Sequence, residues 1–171
     1  MTSIVICPEA SLADVCREHA PSHVLGFTSP ARLPPEPGDG ARRLVFAFHD
    51  IEAPRLGLVP PDRDSIERML AFARTWDGAS PLVIHCFAGV SRSTAAAFAL
   101  ACQAAPSRSE AAVAAALREA APTATPNRLM VALADDILGR GGRMIEAAGA
   151  IGRGADYVPF RSAILRVAAG A

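Results

Sequence analysis

Short apolar segments alternate along this chain with longer segments in which apolar residues recur every three or four positions. The short segments, rich in Val, Ile, Leu and Phe, predict strands at residues 4–7, 23–27, 43–48 and 81–84. The third of these is nearly all apolar, which is typical of a strand covered on both faces. The longer segments predict helices over residues 11–20, 64–76, 93–104, 108–121 and 127–139, and a shorter one over 143–150.

Helix and loop signals support these boundaries. Closely spaced Pro and Gly make residues 30–40 an irregular polar loop. Asp64 and Glu67 form a capping-box pattern at the start of the second helix. Strands separated by helices indicate one α/β domain over residues 1–151, with a mostly parallel sheet flanked by helices and ligands beyond the carboxyl ends of its strands. Residues 152–171 are expected to form a packed or partly flexible tail, or a final helix.

Composition narrows the class of protein. A chain of 171 residues with 51% hydrophobic residues is large enough for one globular domain with a substantial core. Its 17 basic and 17 acidic residues cancel, so we expect neither a nucleic acid nor a membrane as partner. The chain start does not resemble a signal peptide and no apolar run reaches membrane-spanning length, so a cytoplasmic protein is expected. All basic residues are Arg, a bias typical of GC-rich bacterial genomes.

The most informative stretch joins the fourth strand to an Ala-rich helix. It consists of His85, Cys86, Phe87, Ala88, Gly89, Val90, Ser91, Arg92 and Ser93. In such a strand-to-helix loop, successive backbone N–H groups can converge on one anion at the helix N-terminus, and the same field favours a cysteine thiolate. We expect Gly89 to adopt a positive φ or to allow close backbone approach. The planar guanidinium of Arg92 suits two phosphate oxygens.

This motif resembles that of cysteine-dependent protein tyrosine phosphatases, in which His-Cys is followed by five residues, Arg, and Ser or Thr. The short chain is most similar to the compact dual-specificity branch, in a bacterial form. The resemblance implies hydrolysis of a phosphomonoester through a phosphocysteine on Cys86, with residues 86–92 holding the phosphate. It implies that Ser93 hydrogen-bonds the sulfur and that His85 supports the loop from behind as a buried, hydrogen-bonded residue. Helix capping is the competing explanation for Ser91 and Ser93.

The resemblance also implies a general acid on a separate loop, and Asp50 matches it best. Asp50 follows the third strand, which places it at the same sheet edge as the phosphate loop. The chain has Phe-His-Asp here, whereas the better-known pattern is Trp-Pro-Asp. The alternatives are Glu52, His49 as acid or substrate contact, and Asp62 and Asp64, which are better explained as helix caps.

The remaining candidate residues are expected to be structural. Cys7, Cys16 and Cys102 lack the spacing of a zinc site, and buried apolar roles are favoured for them. Cys86 should react readily with peroxide, and whether Cys7 could trap the product depends on strand order. Asn127, after Pro126, is expected to cap the fifth helix and not to belong to the site.

These observations favour a protein tyrosine or dual-specificity phosphatase that needs no metal and no other cofactor. The substrate class is a phosphorylated protein or a small phosphomonoester. The loop carries no charge at Phe87, Ala88, Val90 or Ser91, which favours a singly phosphorylated substrate. The alternatives are a phosphoinositide or other small-phosphomonoester phosphatase and a catalytically silent phosphate-binding module. The physiological substrate and the oligomeric state stay open.

Overall fold

Five strands form one mixed sheet at the centre of the protein. A computed structural model describes residues 2–38 and 40–167 of the chain. The strands are β1 (Thr2–Pro8), β2 (His23–Thr28), β3 (Arg42–Ala47), β4 (Leu82–Cys86) and β5 (Ala163–Val167). They lie in the order β3-β2-β4-β1-β5, with the first four parallel and β5 antiparallel to β1. The carboxyl ends of β1 to β4 therefore meet at one edge, as the alternating pattern predicts.

Helices cover the two faces of the sheet unequally. A short 3₁₀ turn, Glu9–Ser11, leads into α1 (Leu12–His19), which covers one face. The opposite face carries α2 (Arg63–Ala73), α3 (Arg92–Ala104), α4 (Glu110–Ala120), α5 (Arg128–Ile137) and α6 (Arg143–Ile151). Of the described helices, none is long and apolar enough to cross a membrane.

The α3 helix is the centre of the larger core. Nearly all of its residues are buried, including the polar Arg92, Ser93 and Thr94 at its start. Its many Ala residues let the helix pack closely between the sheet and its neighbouring helices, while Phe98 and Leu100 fill the core. Because α3 is fixed on all sides, its first turn is a rigid support for the phosphate loop.

The structure corrects two predictions about the first half of the chain. The third strand was expected to be covered on both faces, but β3 is an edge strand in which only Phe46 is buried. Leu44 and Phe46 face the larger core, where Phe46 packs against Phe27 and Phe48. The expected capping box is also wrong, because the side chain of Asp62, two residues before Asp64, accepts the backbone N–H of Ser65 at 2.8 Å.

The C-terminal segment contributes to the sheet. Residues 152–171 were expected to form a packed or partly flexible tail or a final helix, and within them β5 pairs with β1 from Thr2 opposite Val167 to Ile6 opposite Ala163. The burial of β5 alternates along the strand, with Ala163, Leu165 and Val167 facing the core. Residues 168–171, like Met1 and Asp39, lie outside the described residues.

Candidate active site

The loop between β4 and α3 carries the residues of the predicted phosphate cradle. β4 ends at Cys86 and α3 begins at Arg92, so the loop meets the helix at its N-terminus. At its middle, Gly89 has a φ of +71°, and a Cβ atom there would lie 2.9 Å from the backbone nitrogen of Pro8. Both the left-handed backbone and the close approach to the end of β1 require glycine. The loop is thus held where the helix N-terminus favours an anion.

Cys86 and Ser93 meet at the base of this loop. The Sγ atom of Cys86 lies 3.1 Å from Oγ of Ser93, and both residues are buried. Ser93 is in the first turn of α3, where its hydroxyl is placed to donate to a sulfur anion. The competing capping explanation is wrong for Ser91, whose side chain makes no capping hydrogen bond to α3.

Arg92 is buried beside them and links the cradle to the end of β3. Its Nη1 donates to the carbonyl oxygen of Phe48 at 2.8 Å. Its Nε is buried and has no hydrogen-bond partner within residues 2–38 and 40–167. A cation at a helix N-terminus is placed unfavourably against the helix dipole unless an anion lies between them. The Nε and Nη2 edge of the guanidinium suits two oxygens of such an anion.

Asp50 is joined to the phosphate loop by hydrogen bonds on one carboxylate oxygen. Its Oδ1 accepts from Oγ of Ser91 at 2.8 Å and from Nδ2 of Asn127 at 2.8 Å. A proton on this carboxyl group therefore belongs on Oδ2. Asp50, Cys86 and Arg92 line the same pocket of about 490 Å³. The structure thus brings the proposed acid and the proposed nucleophile to one site.

Asn127 is a site residue that the sequence analysis missed. Its Oδ1 accepts the N–H of Met130 at 3.0 Å, which is the predicted cap of α5. Its Nδ2 donates to Asp50 and, at 3.3 Å, to the carbonyl oxygen of Ile51. The expectation that Asn127 lies outside the site is therefore wrong. The capping interaction uses only the amide oxygen, so the two unused N–H donors of a buried Asn were the available signal.

The alternatives to Asp50 have other roles. Glu52 accepts the backbone N–H of Arg128 at 2.8 Å, and Asp62 caps α2. Asp64 is exposed and lies 3.6 Å from Arg68. None of the three lines the pocket.

His49 closes the loop that carries Asp50. The backbone N–H of His49 donates to the carbonyl oxygen of Val59 at 2.7 Å, and its ring Nδ1 accepts the N–H of Val59 at 2.9 Å. This pair of bonds ties the two ends of residues 49–59 together. His49 is outside the pocket lining, so its contacts make it a support for the acid loop.

The rest of the pocket wall comes from residues that no motif marked. Glu9 and Arg32 form an ion pair at its rim, and the Arg32 guanidinium lies 4.9 Å from the centre of the Phe87 ring. Tyr157, from the segment between α6 and β5, lines it as well. These residues are far apart in the sequence, and only the folded chain brings them together.

Comparisons with known proteins identify the architecture. No protein-family profile and no curated protein sequence matches the chain. The crystal structure of human DUSP28 matches with a TM-score of 0.60 and 17% identity, covering 86% of this chain and 94% of that chain. The human tyrosine phosphatase-like serine/threonine/tyrosine-interacting protein matches with a TM-score of 0.62 and 18% identity. The match covers 80% of this chain and 91% of that chain. PTPMT1 in complex with PI(5)P matches with a TM-score of 0.60 and 13% identity, covering 80% and 93%.

The chain has the dual-specificity phosphatase fold. The predicted fold class is therefore confirmed, and the resemblance stated from the sequence holds for the fold. At 13–18% identity, these matches show the fold alone. The chemistry of the site depends on the residues of this chain.

Within this dual-specificity phosphatase fold, His85 lies in β4 directly before the predicted phosphate loop, and its ring makes no hydrogen bond to other described residues. His85 is fully buried, and neither ring nitrogen has a hydrogen-bond partner among the described residues. The prediction of a hydrogen-bonded histidine is therefore wrong. Its ring fills the space above Gly26, where a Cβ atom would lie 2.4 Å from its Nε2. Burial, together with the nearby Arg43, lowers the pKa of His85 to about 4. The ring is therefore neutral near pH 7 and acts by filling space.

Cys7 lies on the other face of the sheet from Cys86. In the register of β1 and β4, Cys7 is opposite His85, whereas Pro8 is opposite Cys86. Because alternate residues face opposite sides of a strand, Cys7 packs with Leu12 of α1 and Cys86 packs in the larger core. Burial raises the pKa of the Cys7 thiol to about 12. These features support a structural role for Cys7. They argue against the alternative, in which Cys7 would form a disulfide with an oxidised Cys86.

The burial of His85 predicts a pH-dependent stability. An unfolded His gains its proton below about pH 6.5, whereas folded His85 gains it only below about 4. Between these values the unfolded state binds more protons, so stability falls as the pH is lowered. From pH 7 to pH 5 we expect a loss of about 2 kcal/mol from this residue. Urea unfolding of the wild type and of His85→Gln at both pH values measures it.

The histidine variant should lack this part of the pH dependence, whereas His19→Gln, a change at a partly exposed histidine of α1, should retain it. Equal losses of stability in the wild type and in His85→Gln would contradict the assignment.

Proposed function

We propose that this protein is a metal-independent phosphomonoester hydrolase that acts through a phosphocysteine on Cys86. Its proposed substrate class is phosphotyrosine in proteins, with dual specificity for phosphoserine and phosphothreonine as the broader form. The observation that carries the proposal is the meeting of Cys86, Arg92 and Asp50 in one pocket, with Ser93 against the sulfur. A buried cysteine alone would support none of this.

The first step transfers the phosphoryl group to the enzyme. The Cys86 thiolate attacks phosphorus, a sulfur–phosphorus bond forms, and the bond from phosphorus to the ester oxygen breaks. Loop N–H groups and the Nε–Nη2 edge of Arg92 hold the non-bridging oxygens, where charge is concentrated in the transition state. Asp50 donates the proton on Oδ2 to the departing oxygen, so that an alcohol or phenol leaves.

The second step releases phosphate. Asp50, now a carboxylate, takes a proton from a water molecule that attacks phosphorus. The sulfur–phosphorus bond breaks, and the hydroxyl of Ser93, 3.1 Å from Sγ, donates to the departing thiolate. Phosphate is released and Asp50 is again protonated for the next cycle. The bonds from Ser91 and Asn127 hold Asp50 beside the loop throughout.

Two other functions are compatible with this fold: hydrolysis of a different class of phosphomonoester, and phosphate binding without catalysis. PTPMT1 was crystallised with PI(5)P, so a phosphoinositide or other small phosphomonoester is the second substrate class. The uncharged loop positions Phe87, Ala88 and Val90, and the pairing of Arg32 with Glu9, argue for a singly phosphorylated substrate. A catalytically silent phosphate-binding module would not require Cys86, Asp50 and a serine hydrogen-bonded to the cysteine sulfur to occur together.

Substitution of the nucleophile separates chemistry from binding. Cys86→Ser should abolish turnover of an aryl phosphate while the cradle still binds phosphate, because the loop N–H groups and Arg92 remain. Arg92→Lys should weaken phosphate binding and lower kcat/KM roughly 10²–10³-fold, since a lysine has no planar fork. Steady-state kinetics and calorimetric titration with inorganic phosphate measure the two effects. Turnover by Cys86→Ser at the wild-type rate would overturn the assignment.

The role of Asp50 is tested through the leaving group. Asp50→Asn should slow hydrolysis of an alkyl phosphate or of phenyl phosphate by about 10²–10⁴-fold, the usual effect of a general acid. An aryl phosphate whose phenol leaves without a proton should be affected much less. Asp64→Asn, an equal change at an exposed aspartate outside the pocket, is the matched control. If Asp64→Asn instead shows the leaving-group dependence, the acid is assigned wrongly.

A further inference from the structure

Two aromatic side chains of this protein are exposed, and both line the pocket of Cys86. The chain has seven Phe, one Tyr and one Trp. Phe87 is 59% exposed and Tyr157 is 54% exposed, whereas the other seven aromatic residues are buried or half-buried. Both exposed rings belong to the wall of the pocket of about 490 Å³. Exposed aromatic surface that is confined to a pocket is typical of a site that receives an apolar ring.

Tyr157 is carried by a segment that is fixed at its start. We call residues 152–162, between α6 and β5, the strap. Arg118 of α4 donates to the carbonyl oxygens of Ile151 and Gly152 at 3.0 and 2.8 Å, where the strap leaves α6. Further along, Gly154 N–H donates to Oγ1 of Thr125 at 3.1 Å.

The strap is also packed against the phosphate loop. The Cζ atom of Phe160 lies 2.8 Å from the position of a Cβ on Gly89, so its ring rests on the middle of the loop. Beyond it, β5 pairs with β1, whose own end lies beneath the same glycine. Tyr157 therefore stands between two anchored points of the strap. The segment that carries the ring is positioned in advance of any ligand, which reduces the entropy that binding would cost.

Phe87 is positioned by contacts with the N-terminal part of the chain. Its backbone carbonyl oxygen accepts from the N–H of Glu9 at 3.4 Å, and the guanidinium of Arg32 lies over its ring. Arg32 is in turn paired with Glu9. Phe87, from the middle of the chain, and Tyr157, from the strap near its C-terminal end, thus line the same pocket.

We infer that Phe87 and Tyr157 form an aromatic clamp for the ring of a phosphotyrosine and that the strap is a specificity element of the site. The inference rests on the proposed function, in which the phosphate lies against Cys86. A tyrosyl phosphate then extends an aromatic ring from the loop toward the pocket mouth, where offset or edge-to-face contacts with the two rings are favourable. A seryl phosphate presents no ring to the clamp.

The direct test compares two peptides of one sequence that carry phosphotyrosine or phosphoserine. Tyr157→Ala should lower kcat/KM for the phosphotyrosine peptide about three- to tenfold, mainly through KM, and leave the phosphoserine peptide unchanged. Tyr157→Phe keeps the ring and should behave like the wild type. Val158→Ala, an exposed strap residue outside this pocket, is the control and should change neither peptide. Equal losses for the two peptides, or no loss, would overturn the clamp.

A second variant moves the strap without touching the pocket. At Gly154, a Cβ atom would lie 2.4 Å from the carbonyl carbon of Thr123, so Gly154→Val must displace the strap from its anchor. We expect the same selective loss for the phosphotyrosine peptide as in Tyr157→Ala. Selectivity that equals the wild type in a folded Gly154→Val protein would contradict the role of the strap.

Binding to the Cys86→Ser protein separates this inference from the proposed function. If the wild type hydrolyses no phosphomonoester, the proposed function fails, but the clamp is still measurable as an affinity. In the Cys86→Ser background, Tyr157→Ala should raise the Kd of the phosphotyrosine peptide about three- to tenfold, with no change for the phosphoserine peptide. Unchanged affinities for both peptides would overturn the clamp whether or not the protein is a phosphatase.

Discussion

A single carboxylate oxygen, Oδ1 of Asp50, holds together three segments that are distant in the sequence. It accepts from Ser91 of the phosphate loop and from Asn127 at the start of α5, while Asp50 itself follows β3. Arg92 reinforces the junction by donating to the carbonyl oxygen of Phe48, close to the acid. Because the acid and the cradle share these bonds, a change in one position alters the geometry of both. This coupling keeps the proposed proton donor, Asp50, beside the proposed nucleophile, Cys86.

The remaining structure supplies rigidity to that junction. The buried α3 fixes Arg92 and Ser93 in its first turn, and the end of β1 lies so close beneath Gly89 that only glycine fits. His85 fills the opposite face of the sheet as a neutral ring. The C-terminal strap then closes one side of the pocket with Tyr157. Cys86, Arg92 and Ser93, which are proposed to act on the phosphate, are buried, whereas Phe87 and Tyr157, which are proposed to meet the remainder of a substrate, are exposed.

The sequence predicted what depends on neighbouring residues and missed what depends on tertiary contact. The loop between a strand and a helix was predictable because the spacing from Cys86 to Arg92 and the flanking strand and helix are contiguous in the sequence. The edge position of β3 was not, because strand order is decided by packing and not by local pattern. The second role of Asn127 was missed because a cap explained the residue without its amide donors. Tyr157 had no local signal, since the strap has neither helical nor strand periodicity.

The central claim is that the reaction proceeds through a phosphate bound covalently to Cys86. Acid quenching during turnover of an aryl phosphate in the presence of EDTA, followed by peptide mass spectrometry, tests it directly. We predict one phosphate per chain on the peptide that contains Cys86, absent from the Cys86→Ser protein. Phosphate on another residue, or turnover that requires the metal removed by EDTA, would contradict the account.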